Sequence, residues 1–386
     1  MPNPRKSSII IGCCIFLFAL SLRLTAANRL KIDYDEPIYI NAALEYTGFI
    51  RSGQYTKVAW NTTNLEHPAL YKIIYGFAFL GLPPVNQLYE KDLEDGKALK
   101  EISGEPWVMT GRYISAVLGA LTAGLLAIFY PLAGFFVSIN TLSVKYTSQV
   151  YLEALPLFTS LMAALTYLNY FKGINSNQQH QEKPYFWLTL SAAFLGATAA
   201  AKYLYCIVGI AILIHQIFAL INKRIEWKQV FYIILWGILA IFLFFLFDPM
   251  LWPHPIARLV ESVTFHINYP STTDVTIYNY PIFQPIRWLF LPFRYFNPKP
   301  VSAFLFQLDW LIFGLSIVGL PGLFSKNKLF FFWLIIGVIT LLVWGTKWPQ
   351  YILIIMVPYC MSANAGLTII YNFIRRTINR VDKFLV

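Results

Sequence analysis

The feature that most constrains the fold of this chain is a series of apolar stretches, each about long enough to cross a membrane. A spanning helix needs about 20 mostly apolar residues. Hydrophobic residues make up 57% of the 386 and charged residues 13%, against about 45–50% and about 25% in a soluble domain. The sequence therefore predicts an all-α polytopic membrane protein, a single domain over 1–386 with about ten transmembrane helices. The predicted spans are 8–24, 112–130, 133–150, 154–171, 185–201, 203–221, 229–247, 304–324, 329–345 and 351–371.

The distribution of charge predicts how the chain lies in the membrane. Cytoplasmic loops of membrane proteins carry an excess of Lys and Arg. With ten spans and both termini inside, the inner segments hold 13 basic and 3 acidic residues, so that +10 of the total charge of +11 lies on one side. Membrane orientation explains this charge, and nucleic-acid binding is not needed to explain it. The topology predicts an integral protein of the inner or plasma membrane.

Two long loops face the outer side in this topology, a first loop at 25–110 and a second at 248–303. Loops of this length in a compact protein are usually functional. The apolar run 69–85 contains Lys72, and counting it as a span would place the acidic stretch 86–110 in the cytoplasm. We therefore expect 69–85 to form a juxtamembrane or re-entrant helix within the first loop, which is the predicted catalytic loop.

Three carboxylates in four residues, Asp33, Asp35 and Glu36, follow the first apolar stretch. Carboxylates are costly beside hydrocarbon, and membrane proteins that keep them there commonly use them in chemistry or ion handling. Asp35 precedes Glu36-Pro37 and an amphipathic pattern, so it is also a good helix N-cap. Capping explains one acid but not three. Asp35 is therefore predicted to be a general base, a metal ligand or both, with Glu36 beside it.

Two further acids face the same outer side. Glu66 lies in Glu66-His67-Pro68, just before the apolar run of the first loop, and Glu153 lies in a short turn between two predicted spans. Each could simply cap a helix or mark a turn. Their common location with Asp35 favours a functional site, in which Asp35, Glu66 and Glu153 could also hold a divalent metal ion such as Mg, Mn or Zn.

Cations also converge on this outer side. Lys202 and Lys347 lie in outer turns, Tyr351 follows Lys347 by one helical turn, and Arg258 lies in the second loop. Each cation could either extend its charge to the lipid headgroups or bind an anion. Several of them together would suit a phosphate whose lipid tail stays in the bilayer. The sequence contains no Gly-rich phosphate loop and no zincin motif.

The order of these features resembles the GT-C glycosyltransferases, particularly the branch with the protein O-mannosyltransferases and the aminoarabinose transferase acting on lipid A. The resemblance covers roughly residues 8–210 and the end of the chain. His67 stands where the family often has Lys, and Glu153 replaces Asp at the end of a tyrosine-led motif. The segments that carry the resemblance are Asp35-Glu36, Glu66-His67-Pro68-Ala69-Leu70-Tyr71, Gly111-Arg112, Tyr146 to Glu153, Lys202, and Lys347 with Tyr351 and Pro358.

The resemblance implies an enzyme of the non-cytoplasmic face that takes a sugar from a polyprenyl-phosphate donor and inverts the anomeric centre in one displacement. Asp35 would take the proton of the acceptor hydroxyl, with Glu36 second. Glu66 and Glu153 would position the base, the acceptor or a metal. The residues that would bind the donor are His67, Lys202, Arg258, Lys347 and Tyr351. The sugar and the acceptor, whether lipid, glycan or protein, stay open.

A secondary transporter or a lipid flippase is the alternative, because such proteins also carry charges within the membrane. Transporters usually show repeated halves and ionisable or broken helices near the midplane. In this sequence the charges gather at one face and no repeat is evident, which favours the enzyme.

Overall fold

The structure of the chain is a computed structural model that describes residues 6–84, 105–175, 184–292 and 303–382. Most of the acidic stretch 86–110 in the first outer loop, and the end of the second outer loop, lie outside the described residues. Within the described ranges the chain forms helices and turns, with no strand.

The helices of these ranges are named here in chain order. They are α1 (Lys6–Arg29), α2 (Glu36–Arg51), α3 (Tyr55–Trp60), α4 (Leu70–Phe79), α5 (Pro106–Phe129), α6 (Pro131–Ile139), α7 (Thr141–Tyr146), α8 (Ala154–Asn175), α9 (Pro184–Ala201), α10 (Ile207–Ile221), α11 (Lys228–Phe247), α12 (Pro255–Asn268), α13 (Thr273–Thr276), α14 (Gln284–Phe290), α15 (Asp309–Lys326), α16 (Lys328–Val343) and α17 (Met356–Asp382). Short 3₁₀ helices of three to seven residues precede α10, α12, α13 and α17.

Nine of the ten predicted spans correspond to one helix each. In the described part of the chain, six segments are long and apolar enough to cross a membrane: α1, α5, α8, α11, and α10 and α17 each with its preceding turn. The helices α9 and α15 have 18 residues each, and α16 is a shorter apolar helix. The prediction of an all-α polytopic membrane protein is confirmed.

The prediction of one continuous span over 133–150 is wrong, because the helix breaks at Asn140. The backbone of Asn140 is extended, and its side chain accepts a hydrogen bond from the Ser143 amide to start α7. The carboxylate of Asp309 accepts from Asn140 Nδ2 at 2.7 Å and from the Thr141 amide at 3.0 Å. Asn, Ser and Thr side chains compete for backbone hydrogen bonds and so favour helix starts over helix interiors.

This broken segment nevertheless joins the two ends of the helical bundle. At its start, Tyr130 donates to Asn327, which lies in the predicted inner turn between α15 and α16. At its end, the Val150 amide donates to Glu36 at the start of α2. The break therefore leaves the predicted direction of the chain unchanged. It places α7 and the turn that follows it beside the first acidic cluster, which consists of Asp33, Asp35 and Glu36.

A buried arginine of α1 satisfies the polar groups that the break exposes. Arg23 donates to Thr147 Oγ1 at 2.8 Å, to Ser143 Oγ at 3.0 Å and to the carbonyl of Val137 at 3.3 Å. Buried polar groups in apolar surroundings must find such partners.

The helices of the first outer loop pack closely on one another. A Cβ on Gly76 of α4 would lie 2.9 Å from the carbonyl oxygen of Ala43 in α2, so only glycine allows this approach. Thr47 Oγ1 donates to the Gly76 carbonyl across the contact. At ten residues α4 is about half as long as a span, which agrees with the predicted juxtamembrane or re-entrant helix.

Candidate active site

Glu36 is the centre of a buried ion pair that closes the first acidic cluster. Arg112 of α5 donates to both of its carboxylate oxygens, from Nε at 2.8 Å and from Nη2 at 2.6 Å. The amides of Asp33 and Val150 and the side chain of Gln149 donate to the same carboxylate. Arg112 also donates to the carbonyls of Ala27, Leu30 and Lys31 at the end of α1. This arrangement supports a positioning role for Glu36 rather than the predicted role as second base.

Asp33 has its own cation. Lys145 of α7 donates to Asp33 Oδ2 at 2.5 Å, and the Tyr34 amide donates to Oδ1 at 2.9 Å. Burial acts to raise the pKa of Asp33, but the charge and hydrogen bond of Lys145, together with a hydrogen bond from Tyr151, lower it below its ordinary value. Asp33 is therefore an ionised and paired acid.

Glu153 also pairs with a cation. Lys202, just after α9, donates to Glu153 Oε1, and both side chains are buried. The second oxygen, Oε2, is buried and has no hydrogen-bond partner within the described residues. Burial raises the pKa of Glu153, and the positive charge of Lys202 opposes that rise. The Lys202 ammonium also lies 5.4 Å from the centre of the Tyr351 ring, so the structure brings these three predicted residues together.

Asp35 differs from its three acidic neighbours. It occupies the N-cap position of α2, but its side chain makes no capping hydrogen bond, and it is in none of the ion pairs of the described residues. Its side chain is half-buried. Burial, and then the negative charges of Asp33 and Glu153, raise the pKa of Asp35 to about 6, while Lys202 and Lys145 oppose the rise. Asp35 is thus a carboxylate poised to exchange a proton near neutral pH.

The second acidic segment lies against α12. The side chain of Glu66 accepts from Asn64, and its carbonyl accepts from Ser262 Oγ at 2.8 Å and from His266 Nε2 at 2.9 Å. The ring of His67 lies 5.3 Å from that of His266 and 5.9 Å from that of Tyr39 in α2. Burial and the positive charges around it, led by Lys202, hold the pKa of His67 well below its ordinary value. His67 is therefore neutral, and it adds no positive charge for a phosphate.

A further buried acid fixes this segment to the end of α11. Asp248 accepts from the Ala69 amide at 3.1 Å through Oδ1, while Oδ2 is buried without a partner in the described part of the chain. Burial raises the pKa of Asp248 to about 7, against the opposing effects of the Ala69 hydrogen bond and the Lys72 charge. Asp248 belongs to the joint between the two outer loops.

Two of the predicted phosphate-binding cations are engaged with backbone. The Lys347 ammonium donates to the carbonyls of Leu341, Leu342 and Trp344 at the end of α16, which uses every N–H donor that it has. Arg258 donates to the carbonyls of Ala59 and Met250. These contacts favour helix-capping and loop-joining roles, and of the three predicted phosphate-binding cations they leave Lys202, which pairs with Glu153.

The predicted metal ligands Asp35, Glu66 and Glu153 do not form a metal site in this geometry. Glu153 is paired with Lys202, and Glu66 is bound to Asn64. Among the residues that the structure describes, no group of three His, Cys, Asp or Glu side chains is arranged to hold a metal ion. These residues do not fit a divalent metal ion, so the proposed chemistry uses no metal.

A large apolar cavity lies next to Lys202 and His67. It has a volume of about 860 Å³ and lies between α9, α10, α11, α12 and α16. Its lining is almost entirely apolar, with small residues such as Ala199, Gly209 and Gly237. Two of its lining residues connect it to the cluster: Tyr203 follows Lys202 in the chain, and His266 contacts His67.

Sequence reasoning missed the roles of Lys145 and Arg112, which pair with Asp33 and Glu36. The available signal was a lysine inside a predicted span, since a charge in an apolar helix requires a partner. Both partners lie more than seventy positions away in the chain, so the sequence alone did not identify them.

Solved structures that resemble this one include two crystal structures of ArnT from Cupriavidus metallidurans, one bound to undecaprenyl phosphate and one in the apo state. Each comparison gives a TM-score of 0.57 and 15% sequence identity. The matched region covers 92% of this chain and 59% or 58% of the ArnT chain. The chain thus spans about three-fifths of the length of those structures. No protein-family model matches the sequence, and no curated protein matches it. The likeness shows the fold, and this chain has an ArnT-like polytopic membrane fold.

Proposed function

We propose that this protein is a membrane glycosyltransferase that moves a sugar from a polyprenyl-phosphate donor to an acceptor hydroxyl, with inversion and with Asp35 as general base. One observation carries the proposal. Glu36, Asp33 and Glu153 each pair with a buried cation, whereas Asp35 has no ion pair within the described residues and makes no capping bond. The likeness in fold to an ArnT bound to undecaprenyl phosphate supports the class of donor.

The reaction needs one proton acceptor and one site for a leaving phosphate. Asp35 takes the proton of the acceptor hydroxyl as its oxygen bonds to the anomeric carbon. The bond from that carbon to the phosphate oxygen breaks at the same time, and the electron pair leaves with the polyprenyl phosphate. Attack from the side opposite the leaving group inverts the anomeric centre. A carboxylate with a pKa near 6 is largely ionised at neutral pH and can accept this proton.

Lys202 is the cation best placed to stabilise the leaving phosphate. Its ammonium gives one hydrogen bond to Glu153 and faces Tyr351, so it keeps donors for an anion. The apolar cavity beside Tyr203 would hold the polyprenyl tail, because its lining offers hydrocarbon contact and very few polar groups. The side of the membrane proposed for this chemistry is the non-cytoplasmic one, from the excess of positive charge in the predicted inner segments.

The substitution Asp35→Asn tests the proposal. Asn caps a helix about as well as Asp, so the variant should fold and reach the membrane in normal amounts. Loss of a general base typically costs about 10²–10⁴-fold in rate. We therefore expect a deletion strain expressing Asp35→Asn to lack the same envelope glycan or glycolipid as the deletion strain itself. Mass spectrometry of envelope glycans and glycolipids in the wild-type, deletion and variant strains measures this, and the missing mass identifies the sugar.

Glu36→Gln and Glu153→Gln are the comparison variants. We expect Glu36→Gln to reduce the amount of folded protein, because it weakens the pair with Arg112, and Glu153→Gln to give an intermediate loss of transfer. Asp35→Asn with more than about a tenth of wild-type transfer would contradict the role of base. A deletion strain in which a lipid accumulates on one side of the membrane with no glycan missing would favour the alternative, a transporter or lipid flippase.

A further inference from the structure

Lys145 occupies an unusual place for a charged residue. It belongs to α7, the short helix after the break at Asn140, and every residue of that helix is buried. Its ammonium lies 2.5 Å from Asp33 Oδ2, 3.3 Å from the hydroxyl of Tyr146 and 4.4 Å from the centre of the Tyr146 ring. A buried lysine requires such partners, and the break in the helix brings it to the acidic cluster.

The turn that presents Asp35 is held on both of its sides. The backbone amide of Asp33 donates to Glu36 Oε2, which is itself fixed by Arg112. The side chain of Asp33 is fixed by Lys145. The two contacts hold the chain just before Asp35 and the Glu36 side chain just after it, so the backbone that carries Asp35 is fixed between two buried ion pairs.

We propose that Lys145 is a positioning residue for Asp35, acting through its ion pair with Asp33 to hold the turn and to neutralise an acid beside the proposed base. The inference rests on the proposed function, because it takes Asp35 as the group that exchanges the proton. It adds Lys145, a residue of the broken helical segment, which acts on Asp35 through Asp33.

The electrostatic consequence has a definite sign. Asp33 is the charge that most strongly raises the pKa of Asp35, after burial, and Lys145 lowers it. Without Lys145, Asp33 stands unneutralised beside Asp35, and the two carboxylates hold a proton up to a higher pH. The charged and titratable groups that act on Asp35 or share its surroundings are Asp33, Glu153, Lys145, Lys202, Tyr34, Tyr39, Tyr146, Tyr151, Tyr269 and Tyr351.

Carbodiimide labelling measures this protonation without any sugar substrate. Dicyclohexylcarbodiimide adds to a carboxyl group that carries its proton, and peptide fragmentation by mass spectrometry locates the adduct on Asp33, Asp35 or Glu36. In the wild-type protein, purified in detergent, labelling of Asp35 should fall as the pH rises through about 6. In Lys145→Met the labelling midpoint of the Asp33–Asp35 pair should rise by about one pH unit or more.

Rescue and charge-retaining variants separate this effect from damage to the fold. Asp33→Asn combined with Lys145→Met should return the Asp35 midpoint to the wild-type value or below, because no unneutralised Asp33 is left. Lys145→Arg keeps the charge and should leave the midpoint where it is. Lys57→Met, which changes an exposed lysine of the same outer loop, is the matched control and should also have no effect. If Lys145→Met does not fold, Asp33→Asn alone still gives a test, since it should lower the midpoint.

An unchanged midpoint in Lys145→Met, or in Asp33→Asn, would overturn the inference. The result is separable from the proposed function. If Asp35→Asn cells keep their glycans while the midpoints move as described, Asp35 is not the base but the Lys145 pair still controls its proton. If transfer is lost and the midpoints do not move, the base stands and Lys145 is only structural.

Discussion

At the scale of single residues, this protein matches buried acids with buried cations drawn from distant parts of the chain. Arg112 forms an ion pair with Glu36, and Lys202 forms one with Glu153. Removing one partner of a buried pair leaves an uncompensated charge, which costs about 3–5 kcal/mol. Pairing of this kind fixes the neighbouring acids, and within the described residues it leaves Asp35 as the acid of this cluster that is in no ion pair.

Lys202 and Lys347 should behave differently toward a lipid phosphate. Lys202→Met should weaken the binding of undecaprenyl phosphate, because a charged hydrogen bond worth about 1.5–3 kcal/mol is lost. Lys347→Met should leave that binding close to wild type and lower the melting temperature, because Lys347 caps the end of α16. Titration of each purified variant with undecaprenyl phosphate, together with a thermal melt, measures both. Equal loss of binding in the two variants would mean that Lys347 leaves its carbonyls to contact the phosphate.

At the scale of elements, local departures from helical regularity place the functional groups. The break at Asn140 carries Lys145 to the acidic cluster. Gly237 of α11 leaves room in the apolar cavity, since it lines the cavity and a Cβ there would meet nothing within 4 Å. A continuous helix over 131–146 or bulkier side chains on α11 would remove one of these features while leaving the number of spans unchanged.

The cavity can be tested with a matched pair of glycine substitutions. Gly237→Leu should fill part of the cavity and displace about two buried CH₂ groups of a bound chain, which costs about 1.6 kcal/mol and weakens binding of undecaprenyl phosphate by about tenfold. Gly314→Leu in α15 is the control, because a Cβ there also meets nothing within 4 Å and the residue does not line the cavity. Equal affinity in both variants, measured by titration, would show that the tail lies elsewhere.

At the scale of the whole molecule, the described parts of the first and second loops pack together at the same end of the bundle. Asp248 binds the Ala69 amide, and Ser262 and His266 bind the Glu66 carbonyl. The first loop therefore packs against the second, and His266, which makes one of these contacts, also lines the cavity. A site built from two loops and four or more helices can be assembled only when the whole chain has folded.

Orientation in the membrane is a prediction of the charge distribution. A cysteine at Thr62, exposed on the first outer loop, should react with an impermeant maleimide in intact cells. A cysteine at Asn222, exposed in the turn between α10 and α11, should react only after the cells are opened. The native chain with its four cysteines is the blank. The reverse pattern of labelling would place the acidic cluster on the cytoplasmic side.

The sequence alone determined the fold class of the protein and most of its spans, and it drew attention to the acids of the candidate site. Hydropathy and charge act over about 20 neighbouring residues, so nine spans and the acids at Asp35, Glu66 and Glu153 could be recognised locally. Asp35 was singled out because its position beside Glu36-Pro37 made it either a cap or a base.

Only the tertiary structure shows that the Asp35 side chain does not cap α2; its role as base remains the proposal. Asp35 makes no capping bond, while Glu36 and Asp33 find cations 76 and 112 positions away. The structure also shows that Lys347 donates to backbone carbonyls at the end of α16 and that the predicted span 133–150 is broken. The physical reason is that a buried charge needs a partner in space, and no local pattern in the sequence specifies which distant residue the fold will bring to it.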